Sequence, residues 1–320
     1  MLKITEILVE HRNKPLGIDE AKPRFSWKLT SEGQDVKQTA YQIFVESISG
    51  VCWDSGKVHS DQSILIEYGG EMIIPMTSYS VRLTTWDNIG NSATMSTEFE
   101  TGLMGAFRGS WITHDLPDDE KACPVFIKDF SCNKEIVKAR IYSTALGIYE
   151  MEMNGRRISG DYFAPGWTSY KNRLQYQTYD ITQYLSSTNE LKVTIANGWY
   201  KGNLAYQKRI NIYGDRAALL LELHIIYSDD TKDIIVTDGS WMFSTGEVRF
   251  SEIYHGETVD KTIEPPAERR AQIYDHGMDM IIAQESEPVN IIKKLPAKKL
   301  IITPKGETVI DFGQNLTGFV

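Results

Sequence analysis

Alternation of apolar and polar residues with a period of two runs through most of this chain and predicts strands. In the first hundred residues it marks Phe25-Ser26-Trp27-Lys28-Leu29, Tyr41-Gln42-Ile43-Phe44-Val45-Glu46, Ile64-Leu65-Ile66-Glu67-Tyr68 and Tyr79-Ser80-Val81-Arg82-Leu83. Turn-forming clusters separate them, at Ser49-Gly50, Asp54-Ser55-Gly56 and Asp87-Asn88-Ile89-Gly90-Asn91. Further on, the pattern continues through Val125–Phe130, Ala139–Ser143, Gly147–Met153, Leu191–Ala196, Leu219–Tyr227 and Ile234–Thr237. Asn154-Gly155 directly follows the alternating Tyr149, Met151 and Met153, a hairpin signal. Ser228-Asp229-Asp230 reads as another turn. A brief helical turn is expected after Asp180, with Asp180 as its N-cap and Leu185 packing inward.

The predicted fold class is therefore all-β. Residues 1–103 read as a small sandwich whose late strands look like a fibronectin type III-like module. Residues 104–287 read as a larger, jelly-roll-like double sheet of the lectin kind. Residues 104–112 join the two, with Phe107 and Trp111 expected to anchor a packed junction. The polar segment opened by Pro265-Pro266, with Glu268-Arg269-Arg270, predicts one short helix before Tyr274. From residue 288 to 320 a new strand series begins with Val289–Ile292, Lys299–Ile302 and Thr308–Asn315, and Gly318-Phe319-Val320 lies in mid-strand by pattern. An isolated strand pair leaves backbone groups unpaired, so this stretch is expected to fold back on the second domain or to start a further β-sandwich.

A length of 320 residues suits two to three domains, and 41% hydrophobic with 24% charged residues describes an ordinary core-forming chain. The net charge of −9 argues against nucleic acid as a partner, because no basic stripe is available to neutralise phosphates. No run approaches the roughly 20 apolar residues of a membrane span. Three cysteines (Cys52, Cys123, Cys132) make no disulfide framework, and Met1-Leu2-Lys3-Ile4-Thr5-Glu6 lacks the apolar core of a signal peptide. Both point to a cytoplasmic location.

The stretch from Gly147 to Gly202 carries the chemistry. Aromatic rings stand beside amides and hydroxyls on turns, the ingredients of a surface that covers the C–H face of a pyranose and reads its hydroxyls. Trp167, Trp199 and Tyr200 are the candidate platforms, and Asn154 and Asn197 the polar readers. Asp215, after Tyr213-Gly214, is a candidate ligand for a hydroxyl or a calcium ion. The plainer account makes most rings core, the Asn-Gly and Gly-Asp pairs ordinary turns, and Arg156, Arg157 and Arg173 solvated. No catalytic signature is present: the six histidines are scattered, and the Gly-x-Ser-x-Gly and His-Glu-x-x-His patterns are absent. Glycoside hydrolysis needs two facing carboxyls, and spacing alone places no such pair among Asp115, Asp118, Asp119, Glu120, Asp215, Glu252, Glu257 and Asp260.

Several runs resemble bacterial α-L-rhamnosidases. They include Leu16-Gly17-Ile18-Asp19, Pro23-Arg24-Phe25-Ser26-Trp27, Gln38–Ile43, Trp53–Val58 and Phe99–Leu103. Asn154-Gly155, Pro165-Gly166-Trp167-Thr168, Tyr176–Asp180, Asn197-Gly198-Trp199-Tyr200, Ser251–Glu257 and Asp311–Asn315 extend the likeness in the same order. The resemblance implies inverting hydrolysis of terminal α-L-rhamnose, no organic cofactor, and a catalytic helical barrel downstream of these β-domains. It also implies a second domain that, in some members, binds rhamnose with calcium. An acidic residue beside the Asn of the turn would be expected there, whereas Met153 precedes Asn154, which argues against a metal site.

The leading reading is an accessory fragment of an α-L-rhamnosidase, catalytically inert alone, with a rhamnose-containing saccharide or glycoside and the barrel of the same polypeptide as its partners. The alternatives are a structural module that packs on the barrel or forms a homodimer, and an autonomous hydrolase with an unrecognised carboxyl pair.

Overall fold

The alternating segments assemble into two double sheets and two separate hairpins in the computed structural model, which describes residues 1–204 and 209–316. The expectation for Gly318-Phe319-Val320 lies outside the described residues. In the first sandwich, Lys3–Val9, Arg24–Thr30 and Ile66–Glu67 form a three-stranded sheet. It faces a five-stranded sheet ordered Leu16–Ile18, Ser92–Thr101, Ser78–Asp87, Gln38–Ser47, Gly50–Asp54. Phe25, Trp27, Ile43, Val45, Val81, Leu83 and Phe99, all inward by alternation, fill the space between them. Trp27 meets the polar demand of its indole by donating to Gln38 Oε1 at 2.8 Å. The strand expected over 64–68 shrinks to Ile66–Glu67.

The second sandwich has a six-stranded sheet ordered Arg156–Arg157, Ile148–Met153, Thr188–Ala196, Pro124–Ser131, Met242–Thr245, Arg269–Arg270. Its seven-stranded partner runs Gln272–Ile273, Ile112–Thr113, Ala218–Tyr227, Ile136–Leu146, Leu174–Asp180, Ile281–Ala283, with Lys232–Val236 also on Ala218–Tyr227. Met151, Met153, Val193, Ile195, Leu219, Leu221, Leu223, Trp241 and Phe243 pack between the sheets. The turn at Asn154 (φ 54°) and Gly155 (φ 70°) closes the hairpin that its sequence announces. A 3-10 turn over Thr182–Tyr184 forms as expected and Leu185 packs on the core, but its N-cap is Ile181, not Asp180; Asp180 sits one residue earlier, where its carboxylate accepts the Thr182 N–H at 3.0 Å.

The charged segment near 268 forms no helix. Arg269–Arg270 pairs with Met242–Phe243, and Gln272–Ile273 pairs with Ile112–Thr113, so each sheet gains an edge strand there. The open strand edges of the sandwich satisfy that backbone better than a short helix with no apolar stripe. Val289 makes only a bridge to Tyr162, and Lys299–Ile302 pairs with Thr308–Asp311 in a hairpin with Leu300 and Ile302 exposed. Among the described residues no helix is long and apolar enough to cross a membrane.

The first sandwich sits on the outer face of the seven-stranded sheet. Tyr176 donates its hydroxyl to Asp19 at 2.7 Å and accepts the Leu103 N–H at 3.0 Å. Burial raises the Asp19 carboxyl above its usual range, against the hydrogen bonds from Tyr176 and Met104. Glu100 takes two bonds from Arg140, at 2.8 and 3.1 Å, and one contact from Lys138 at 2.8 Å. Gly17 (φ 79°) lets the chains touch, since a Cβ there would lie 2.0 Å from Thr178 Oγ1. Phe107 and Trp111 of the connecting segment are both buried, Trp111 completely.

Candidate functional site

The outer face of the six-stranded sheet remains open and forms the floor of a groove of about 1120 Å³. Alternation sends Tyr149, Met151 and Met153 into the core, so Ile148, Glu150 and Glu152 line the groove. The neighbouring strands contribute Lys192, Thr194, Val125, Ile127 and Ser244 by the same rule. One wall is Tyr162 and Phe163; the other is the hairpin Val248–Glu252/Gly256–Val259 with Pro265 and Pro266. Glu252 fixes that hairpin. Its buried carboxylate accepts the backbone N–H groups of Asn203 and, at 3.2 Å, Tyr254.

Among the described residues, six carboxylates line the groove (Glu150, Glu152, Glu247, Glu252, Glu257, Glu268) against one cation, Lys192. Burial pushes Glu150 above the usual carboxylate range; the Arg157 guanidinium at 3.0 Å opposes this, and Glu257 and Glu152 add to it. The floor thus mixes apolar side chains with hydroxyl and carboxylate acceptors, which suits a hydroxylated, uncharged ligand. Glu150, Glu152, Lys192 and Thr194 were not singled out by the sequence. Their signal was the polar half of strands whose apolar half marks the core.

The sequence candidates fall in three places. Trp167 and Trp199 stack with ring centroids 6.0 Å apart and planes 11° from parallel. Trp199 meets Phe163 of the groove wall at 5.9 Å and is half-buried against the junction core, while Trp167 is 56% exposed, so the pair lies beside that wall and not on the groove lining itself. The short helix Gly198–Lys201 explains the split between neighbours, because successive residues on a helix point about 100° apart. Trp199 stays half-exposed against Trp167 and Phe163, and Tyr200 is buried against Tyr170 and Tyr213. Tyr200 is therefore core, and it offers no face to a sugar. Asn197 and Asp215 come together elsewhere, on a pocket of about 200 Å³ beside His114.

Asn154 is committed to the fold. Its Nδ2 donates to the Tyr184 carbonyl at 2.9 Å and to Asn189 Oδ1 at 3.0 Å, and its Oδ1 accepts the Glu190 N–H at 2.9 Å. Met153 beside it is fully buried. This turn does not fit a calcium ion, and no group of three or more metal-ligating side chains is gathered among the described residues. The arginines also have partners: Arg156 lies over the Tyr184 ring, Arg157 over Tyr162, and Arg173 pairs with Glu285 at 3.0 Å.

The chain is thus an immunoglobulin-like sandwich joined to a double-sheet domain with a ligand-sized groove on its open face, an architecture that many functions share. Comparison with known proteins narrows this. Residues 134–298 match the family described as "Alpha-L-rhamnosidase N-terminal domain", and residues 4–105 match "Rha78A-like, N-terminal immunoglobulin domain". The chain belongs to the α-L-rhamnosidase N-terminal domain family. An α-L-rhamnosidase of Alteromonas sp. (strain LOR) is 33% identical over 95% of this chain and 36% of its own length. The crystal structure of native α-L-rhamnosidase from Aspergillus terreus superposes with a TM-score of 0.90 at 30% identity, covering 99% of this chain and 39% of that one. The Streptomyces avermitilis α-L-rhamnosidase complexed with L-rhamnose gives 0.88 at 25% identity, covering 99% and 49%. The chain thus spans well under half to about half the length of these relatives and corresponds to their N-terminal β-domains. Among the described residues there is no helical barrel.

Proposed function

We propose that this chain is the non-catalytic front of an α-L-rhamnosidase and that its second sandwich holds a rhamnose-containing saccharide in the groove. The observation that carries this reading is the groove of about 1120 Å³ with the stacked Trp167–Trp199 pair beside its Phe163 wall, Trp167 exposed. A methyl-bearing pyranose sets its C–H face on such rings while its hydroxyls meet Glu150, Glu152 and Thr194. The relative bound to L-rhamnose supports the choice of sugar. Hydrolysis of rhamnosides belongs to the enzyme as a whole. Calorimetric titration with a rhamnose-containing oligosaccharide tests the reading. Saturable binding that weakens tenfold or more in Trp167→Ala is expected, a loss of about 1.4 kcal/mol.

A purely structural role is the second reading, favoured by the buried Glu100–Arg140–Lys138 junction that clamps one sandwich on the other. It predicts no saturable signal in the same titration.

A further inference from the structure

The hairpin that walls the groove, Val248–Glu252 with Gly256–Val259, forms a two-stranded sheet of its own. Such a pair is marginal in water unless an apolar face packs on something larger. Among the described residues, none of the hairpin joins a hydrophobic core: Val248, Phe250 and Ile253 are half-buried, and residues 254–259 are exposed. Glu252 is the one residue of 248–259 that is buried, and it is a carboxylate. A carboxylate is tolerated there only where donors meet it. Its Oε1 accepts the Asn203 N–H, its Oε2 accepts the Tyr254 N–H at 3.2 Å, and the exposed His255 ring lies 4.0 Å away.

The Asn203 donor lies outside the hairpin, two residues after the helix Gly198–Lys201. Gly202, between them, permits the approach, since a Cβ there would sit 2.6 Å from Glu252 Oε1. That helix begins at Gly198, packed on Ile148 of the groove floor, and it carries Trp199. Trp199 in turn meets Phe163 of the other groove wall and stacks on Trp167. One carboxylate thus ties the hairpin wall to the element that supports the facing wall. With its side chain 2% exposed, Glu252 reaches a ligand through these walls and not by touching it.

We propose that Glu252 is a positioning residue for the groove: its carboxylate holds the hairpin and the Trp199 helix as one unit, so that the two walls keep their spacing around a saccharide. Without it the Asn203 and Tyr254 N–H groups lose their acceptor, and the hairpin has no buried side chain left to hold it. This role presupposes the saccharide reading of the groove, so it is tested both with ligand and without.

Hydrogen exchange on the ligand-free chain and calorimetric titration with a rhamnose-containing oligosaccharide are compared for the parent, Glu252→Gln and Glu252→Ala. Gln keeps an acceptor for one of the two N–H groups, and Ala keeps none. In Glu252→Ala, exchange at Asn203 and Gly256–Val259 is expected to rise about tenfold while Thr188–Ala196 stays protected. The circular-dichroism signal of the stacked tryptophans, defined by its loss in Trp167→Ala, is expected to shrink. Saccharide affinity is expected to fall about tenfold in Glu252→Ala and by less in Glu252→Gln, in step with exchange. Unchanged exchange at Asn203, an unchanged tryptophan signal or parent-like affinity in Glu252→Ala would each overturn the proposal, as would equal affinity losses in the two variants. If Glu252→Ala also unprotects Thr188–Ala196, Glu252→Gln decides alone: weaker binding with that strand protected supports the proposal, and parent-like binding overturns it. Absence of saturable binding by the parent would instead overturn the saccharide reading, and the role of Glu252 in binding with it.

Discussion

The two sheets of the second sandwich share one core yet treat their outer faces in opposite ways. Ala218–Tyr227 of the seven-stranded sheet reads Ala-Leu-Leu-Leu-Glu-Leu-His-Ile-Ile-Tyr, and both its faces are covered. Leu219, Leu221 and Leu223 enter the core between the sheets, while Ala218 and Leu220 join Trp111, Tyr142 and Tyr176 in a second core on the outer face. Ile148–Met153 of the six-stranded sheet reads Ile-Tyr-Glu-Met-Glu-Met and buries every second residue. An unbroken apolar run marks a strand clothed on both sides, and alternation marks one left open to water or ligand. One outer face has become a domain junction and the other a groove.

The covered face should be the sensitive one. Glu100→Ala leaves Lys138 facing the junction without its carboxylate and Arg140 with Asp180 alone, and removing one partner of a buried pair costs up to roughly 3–5 kcal/mol. In a calorimetric scan this should lower the midpoint and separate the melting of the first sandwich from that of the second. Leu220→Ala, fully buried on the same side, should cost about 2–5 kcal/mol in urea unfolding. Thr194→Ala on the open face should stay within about 0.5 kcal/mol of the parent. Equal costs for Leu220→Ala and Thr194→Ala would erase the contrast between the faces.

A further effect depends on pH. Burial, reinforced by Lys201 and Arg216 and also Arg269 and opposed by Asp115, lowers the His114 pKa from 6.5 to about 4. Below pH 6.5 the unfolded chain binds a proton that the folded chain refuses. The stability held above pH 6.5 is therefore lost as the pH falls towards 4, by about 3 kcal/mol at most. His114→Asn keeps an acceptor for the Leu116 N–H and removes the titrating ring, so its unfolding free energy should fall less over that window. An unchanged pH slope in the variant would contradict the assignment.

Most of the fold was legible in the sequence because strands announce themselves by alternation and hairpins by Asn-Gly. The edge strands at Arg269–Arg270 and Gln272–Ile273 were not, since two-residue strands are specified by the neighbour they pair with and carry no period of their own. The site was legible in part. Trp167 and Trp199 stood out as aromatics on a Gly-rich stretch, and they do stack on one another, beside Phe163 of the groove wall. Tyr200 looked the same, but a helical turn sends it inward. Asn154 looked like a sugar reader, yet its amide is spent bracing the strand at Glu190. Glu150 and Glu152 carried no mark of their own in the sequence; the wall at 247–257 turns their face into a groove.

The claim that the open face is a saccharide site rests on location, so a residue-resolved titration addresses it most directly. In amide-resolved NMR with a rhamnose-containing oligosaccharide, saturable shifts are expected at Glu150, Glu152, Lys192 and Thr194 and at the Trp167 and Trp199 indoles. Shifts confined to the junction around Glu100 and Tyr176, or no saturable shift anywhere, would contradict it.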